Sequence, residues 1–320
     1  MVSISVQVEG VMGLTWPAWQ ALVAQTEALG FAGLFCSDHF IFRAPPDYPS
    51  LDVMMALTYA ASHTSRVHFG ALVTPISFRE PVMLARQALA LDDLSGGRMI
   101  LGVGAGWNVR EHEAFGYALG DIPTRVARFT EALAVISGLL RDEEPVTFAG
   151  QFYQLREAQL LPRPQRPGGP RLMIGGSGPR RTLPLVAKYA DLWNASGMTA
   201  DEVRERNALL DDLVIKAGRQ PGDVGRTMMK FVLCGRDNAE YERRLVGLRR
   251  QTAYAEMSTD ALLDTARTQM KGIVGTPAEV AAQLREYEAA GMSEIMIQSF
   301  AVDDVEGWQV IADEVLPLLA

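Results

Sequence analysis

Two short segments of this 320-residue chain combine residue types that can do chemistry. The first is Cys36-Ser37-Asp38-His39-Phe40, which directly follows a short apolar run. A histidine titrates near neutral pH, so His39 can give or take a proton, and the adjacent Asp38 can set its tautomer or bind a ligand. The second is Gly175-Gly176-Ser177-Gly178-Pro179-Arg180-Arg181. Consecutive small residues can turn several backbone N–H groups toward one point. Pro179 suits the first turn of a helix, whose N-terminus favours anions. Ser177 adds a hydroxyl, and Arg180 and Arg181 add full positive charge. Together Gly175, Gly176, Ser177, Gly178 and Arg181 predict a phosphate site.

Two further segments are weaker. In Gly70-Ala71-Leu72-Val73-Thr74-Pro75, small residues allow close approach of backbone or a flat ring, and Thr74 offers a hydroxyl. In Gly102-Val103-Gly104-Ala105-Gly106-Trp107-Asn108, alternate glycines leave bare backbone on one face of a strand end, which suits a planar ligand or tight packing equally. The spacing is not the G-x-G-x-x-G of dinucleotide-binding folds. Other chemistries lack their signatures. There is no His-Glu-x-x-His, no His-x-His and no cysteine pair, so no metal site is expected. There is no G-x-S-x-G elbow. The four lysines, 188, 216, 230 and 271, fall at no evident strand end, against Schiff-base chemistry. His63 and His68 read as structural. Glu111-His112-Glu113 reads as a solvated helix face, with Glu111 a minor candidate because it follows the glycine-rich segment.

The elements that must position these groups alternate. Strands are predicted over 3–8, 33–37, 68–73, 99–103, 172–175, 191–194, 227–234 and 294–298. Helices are predicted over 17–29, 51–63, 81–94, 124–140, 179–189, 200–216 and 277–290, with a closing helix to 319. Eight strands separated by helices imply a parallel sheet with right-handed crossovers, and the count favours a (β/α)8 TIM barrel over an open doubly wound sheet. One domain over residues 1–320 is expected. Two stretches exceed the repeat: 142–170, with an apparent hairpin in VTFAGQFYQL, and 236–275. Long excursions on a barrel usually shape its active face, where the C-terminal strand ends gather. Each candidate segment above follows such an end.

The net charge of -8 argues against a nucleic-acid partner and an anionic membrane surface. Two cysteines imply no disulfide framework, and with no basic N-terminal segment or long apolar run the expectation is a cytoplasmic protein.

Ser37-Asp38-His39-Phe40, Leu72-Val73-Thr74-Pro75 and Gly102 to Asn108 with Glu111, Phe115 and Gly116 resemble the luciferase-like monooxygenase family. Within it they look most like the oxidoreductases that use the deazaflavin coenzyme F420. The 174–179 turn and the 275–280 segment are similar too, so the resemblance spans nearly the whole chain. It implies a cofactor ring at the strand C-termini and a phosphate in the turn after the fifth strand. It implies Asp38 and His39 beside the ring, with His39 catalytic. It implies a non-proline cis peptide at Ala71-Leu72, cofactor contacts from Thr74, Ala105, Gly106 and Asn108, and a phosphate near Ser177 and Gly178. Sugar-phosphate dehydrogenases of this group carry a glutamate where this chain has Trp107, which points away from a sugar phosphate. The implied activity is hydride transfer between a small organic substrate and the deazaflavin, in a homodimer. The alternatives are an FMN-dependent monooxygenase served by a separate reductase and a non-catalytic flavin-binding protein.

Overall fold

The computed structural model describes residues 2–320. Eight parallel strands close on themselves: β1 (Ser3–Val8), β2 (Gly33–Cys36), β3 (His68–Ala71), β4 (Met99–Gly104), β5 (Arg171–Gly175), β6 (Leu192–Ser196), β7 (Gly225–Cys234) and β8 (Glu294–Ser299). Each pairs with the next, and β8 returns to β1 with Ser3 opposite Glu294. This is the barrel expected from the alternation, with every predicted strand present to within two residues.

The sequence builds each layer by burial. Helix Trp16–Ala28 turns Trp19, Leu22, Val23 and Thr26 inward at i, i+3, i+4 spacing, and Gly30 follows it with φ +84°. Each large apolar side chain so buried contributes about 1.5–3 kcal/mol of transfer free energy. Inside the barrel, Phe35, Leu72, Ile100, Met173, Leu192 and Met296 form a separate core. Its N-terminal end carries a polar cluster in which the Glu294 carboxylate meets Ser5 Oγ and lies 2.6 Å from His68 Nε2. His68 is structural, as its place at the strand entry suggested.

Two excursions depart from the repeat. Val146–Ala149 and Gln154–Ala158 form the expected antiparallel hairpin. The long one, after β7, folds as helices Asn238–Arg249 and Thr259–Thr268, then a short strand Ile273–Gly275 beside the end of β7. A Cβ on Gly247 would stand 2.3 Å from the Phe300 backbone, so this first helix lies directly against the end of β8. No helix among the described residues is long and apolar enough to cross a membrane.

One boundary differs. The helix predicted from Pro179 begins at Thr182. The Gly178 carbonyl accepts from both Thr182 and Leu183 N–H at 3.0 Å, so residues 179–181 remain in the turn.

Candidate active site

The strand C-termini surround a cavity of about 810 Å³, within the range of small-molecule and cofactor sites. Its walls come from Glu9 after β1, His39 after β2, Leu72 and Val73 after β3, and Gly104 to Trp107 after β4. Gly175, Gly176, Asn194 and Ser196 follow from β5 and β6. Gln251, Tyr254, Gln269 and Met270 of the long excursion complete it, so that excursion shapes the active face as its length suggested.

His39 is the best-placed acid/base. Its side chain is 14% exposed, and its Nδ1 lies 2.8 Å from Oε1 of a fully buried Glu111. The other Glu111 oxygen accepts the Phe40 N–H at 3.2 Å, so both carboxylate oxygens act on this loop. Burial alone would push the imidazole below its ordinary 6.5. The Glu111 hydrogen bond and the charges of Glu9, Glu111 and Asp38 outweigh it and hold His39 above that value. Trp107 packs edge-on to the imidazole with ring centroids 5.6 Å apart.

Three expectations need correction. Glu111 and His112 are not a solvated face: both are buried, on the short helix Val109–Phe115. His112 Nδ1 donates to the Asn108 carbonyl at 2.6 Å, and Nε2 lies 2.7 Å from Ser77 Oγ. The alternating polar residues hid this because their partners lie in other loops. The cis peptide is Leu72-Val73, not Ala71-Leu72. The Leu72 N–H still donates to the Cys36 carbonyl at 2.9 Å, so the chain leaves the ladder one residue later than the resemblance implied. The helix after β5 offers no free first-turn donors at Thr182 and Leu183, because Gly178 takes both.

The remaining candidates divide. Leu72, Ala105, Gly106, Gly175 and Gly176 line the cavity with His39. Asp38 does not: Arg79 holds its carboxylate bidentately at 2.8 and 3.0 Å, so it acts on His39 through charge. Asn108 donates to the Ile41 carbonyl at 3.0 Å and braces two loops. Ala71 is buried in its strand, and Arg181 is exposed in the turn.

The alternate glycines make room for neighbouring chain. A Cβ on Gly102 would stand 2.0 Å from the Ala71 carbonyl, which is barrel packing. Gly104, Gly106 and Gly175 line the cavity, but a Cβ on Gly104 or Gly175 would meet the Val73 side chain at 2.7 or 3.1 Å and one on Gly106 would meet Ser77 Oγ at 2.8 Å, so these glycines make room for Val73 and Ser77. In the turn after Gly176, Ser177 Oγ is buried without a hydrogen-bond partner, as is Thr74 Oγ1 just beyond the β3 end. A buried hydroxyl without a partner costs free energy, so Ser177 fits a phosphate-bearing ligand, although the Gly176 N–H already goes to the Asn194 carbonyl. No group of three or more metal-binding side chains exists among the described residues.

Sequence reading missed Glu9, whose carboxylate accepts from Gln298 Nε2 at 3.0 Å. It is the first residue after β1, so the strand-end rule applied elsewhere would have found it.

The family model for luciferase-like monooxygenases matches residues 2–294. The chain is 29% identical over 315 residues to an F420-dependent glucose-6-phosphate dehydrogenase of Kineococcus radiotolerans, covering 92% of this chain and 90% of that one. It is 29% identical over 222 residues to an F420-dependent hydroxymycolic acid dehydrogenase of Mycobacterium tuberculosis, covering 68% and 60%. In structure it resembles an F420-dependent secondary alcohol dehydrogenase solved with an F420-acetone adduct, with TM-score 0.85, 19% identity and 100% and 99% coverage. It also resembles the monooxygenase RslO1 of Streptomyces bottropensis, with TM-score 0.80, 22% identity and full coverage of both chains. With a family match across most of its length, this chain belongs to the luciferase-like monooxygenase family.

Proposed function

We propose that the chain is an oxidoreductase that moves a hydride between a small organic substrate and the deazaflavin coenzyme F420. The observation that carries this reading is the cavity itself: a space of about 810 Å³ at the strand C-termini, with one imidazole on its wall held by a buried carboxylate. The names of the similar dehydrogenases support F420. When bound, the deazaflavin supplies a carbon that accepts or returns a hydride. Val73, Ala105, Gly106 and Gly176 would line the space for its ring, and Ser177 would meet its phosphate. His39 exchanges the proton that accompanies the hydride, at the substrate oxygen. The excursion roof limits water.

FMN shares the ring shape and phosphate and is the nearest alternative, because monooxygenases share the fold. The excursion lines the cavity without filling it, which speaks against a non-catalytic binding protein. We expect a homodimer in the cytoplasm. Met55 and Met83, each 53% exposed on neighbouring helices, are candidate contacts.

His39→Ala tests the assignment. Turnover of F420 with an oxidisable alcohol should fall roughly 10²-fold or more, while F420 still binds. Unchanged turnover would remove His39 from the mechanism.

A further inference from the structure

Glu111 is the most deeply buried carboxylate of the site, with no exposed side chain, yet it does not line the cavity. A carboxylate so placed must be fully hydrogen-bonded to be tolerated. Its two oxygens face two donors from one loop, the ring Nδ1 of His39 at 2.8 Å and the Phe40 N–H at 3.2 Å. A carboxylate oxygen can only accept, so the Nδ1 position carries hydrogen. The second ring nitrogen is then the one left for the cavity, and Trp107 packs edge-on to the ring.

We propose that Glu111 is a positioning residue that holds the Nδ1 proton of His39 and so dedicates Nε2 to proton exchange with the substrate. The inference rests on the hydride-transfer reading above and deepens it.

The charges around the ring extend the consequence. Glu111 faces it from the helix after β4, Glu9 from the end of β1, and Asp38 from its own loop. Arg79 partly offsets Asp38 through its bidentate pair, and Arg43 lines the same cavity from the β2 loop. The three carboxylates hold the second ring proton, so His39 carries it beyond its ordinary range. In its protonated form the ring presents an Nε2–H donor. Reducing a carbonyl adds a hydride to carbon and this proton to oxygen. Oxidising an alcohol runs the reverse, with hydride leaving carbon and the hydroxyl proton passing to a vacant Nε2. Reduction is thus favoured below the pH at which His39 titrates, and oxidation accelerates as pH rises through it.

The test begins with histidine ring ¹⁵N NMR of the full chain without cofactor, which is independent of cofactor identity. His39 should keep hydrogen on Nδ1 throughout its titration. A neutral form with hydrogen on Nε2 would overturn the proposal. Glu111→Gln is nearly isosteric and keeps an acceptor for Phe40. It should move the His39 titration to lower pH, shift the pH profile of alcohol oxidation the same way, and lower kcat roughly ten-fold or more with KM and F420 affinity little changed. Glu111→Asp should restore part of the loss. An unmoved titration and pH profile in Glu111→Gln would also overturn it. Should that variant fail to fold, the wild-type ring spectrum still decides. Failure of F420 to bind the wild type would instead sink the cofactor reading while leaving the NMR result standing.

Discussion

Replacing Gly102 by alanine should destabilise the barrel, and the size follows from the packing. The added methyl would stand 2.0 Å from the Ala71 carbonyl oxygen and 3.0 Å from the Met173 side-chain methyl. Real Cβ contacts essentially never fall below 3.0 Å, so β3 and β4 must part locally by about 1 Å. The blocking atom is backbone, and rotamer change cannot relieve it. Overpacking of this kind costs about 1–3 kcal/mol and occasionally more. Alanine recovers about 0.4–1 kcal/mol by restricting the unfolded chain. The net is a loss of about 1–2 kcal/mol, or a fall in Tm of about 1.5–3 °C for a chain of this size. Gly222→Ala is the control, because nothing lies within 4 Å of its Cβ and its φ is not left-handed. It should be neutral or slightly stabilising. Thermal melts of the two variants beside the wild type check both signs. A Gly102→Ala protein as stable as Gly222→Ala would refute the claim that backbone contact, rather than a ligand, requires this glycine.

Other outcomes follow from buried charge. Lys230, on β7, is 2% exposed, donates to the Met198 carbonyl at 2.7 Å, and sits over the Tyr287 ring. Burial pulls its pKa from 10.5 down to about 8. Between those values the unfolded chain binds the extra proton, so stability should rise with pH there by about 3 kcal/mol in all. Lys230→Met should flatten that rise in denaturant titrations; an unchanged slope would show that Lys230 is not its source. His39 acts with the opposite sign. Its folded pKa is raised above 6.5, so its contribution is full below that value and lost as pH rises through the folded one. His39→Gln should remove this component, and an identical pH profile of Tm would contradict it.

Much of the fold was legible because strands and helices announce themselves locally. Trp19, Leu22, Val23 and Thr26 mark one buried helix face, and Gly30 marks its end. The site was legible only where chemistry follows a strand end, as at His39 and Gly175. What escaped depends on partners distant in sequence. Glu111 meets His39 from 72 positions away, and Arg79 reaches Asp38 from 41. Nothing in Glu-His-Glu distinguishes a buried pair from a solvated run. The start of the helix at Thr182 turned on one carbonyl, Gly178, capturing two N–H groups, which proline statistics do not foresee.

The central claim is the deazaflavin in the cavity at the strand C-termini. The most direct measurement is a titration of the purified chain with coenzyme F420, oxidised and reduced, and in parallel with FMN, following Tm. F420 at about a hundred-fold excess over its Kd should add about 2.7 kcal/mol of stability, with FMN giving much less. Preferential stabilisation by FMN, or no response to either, would contradict it.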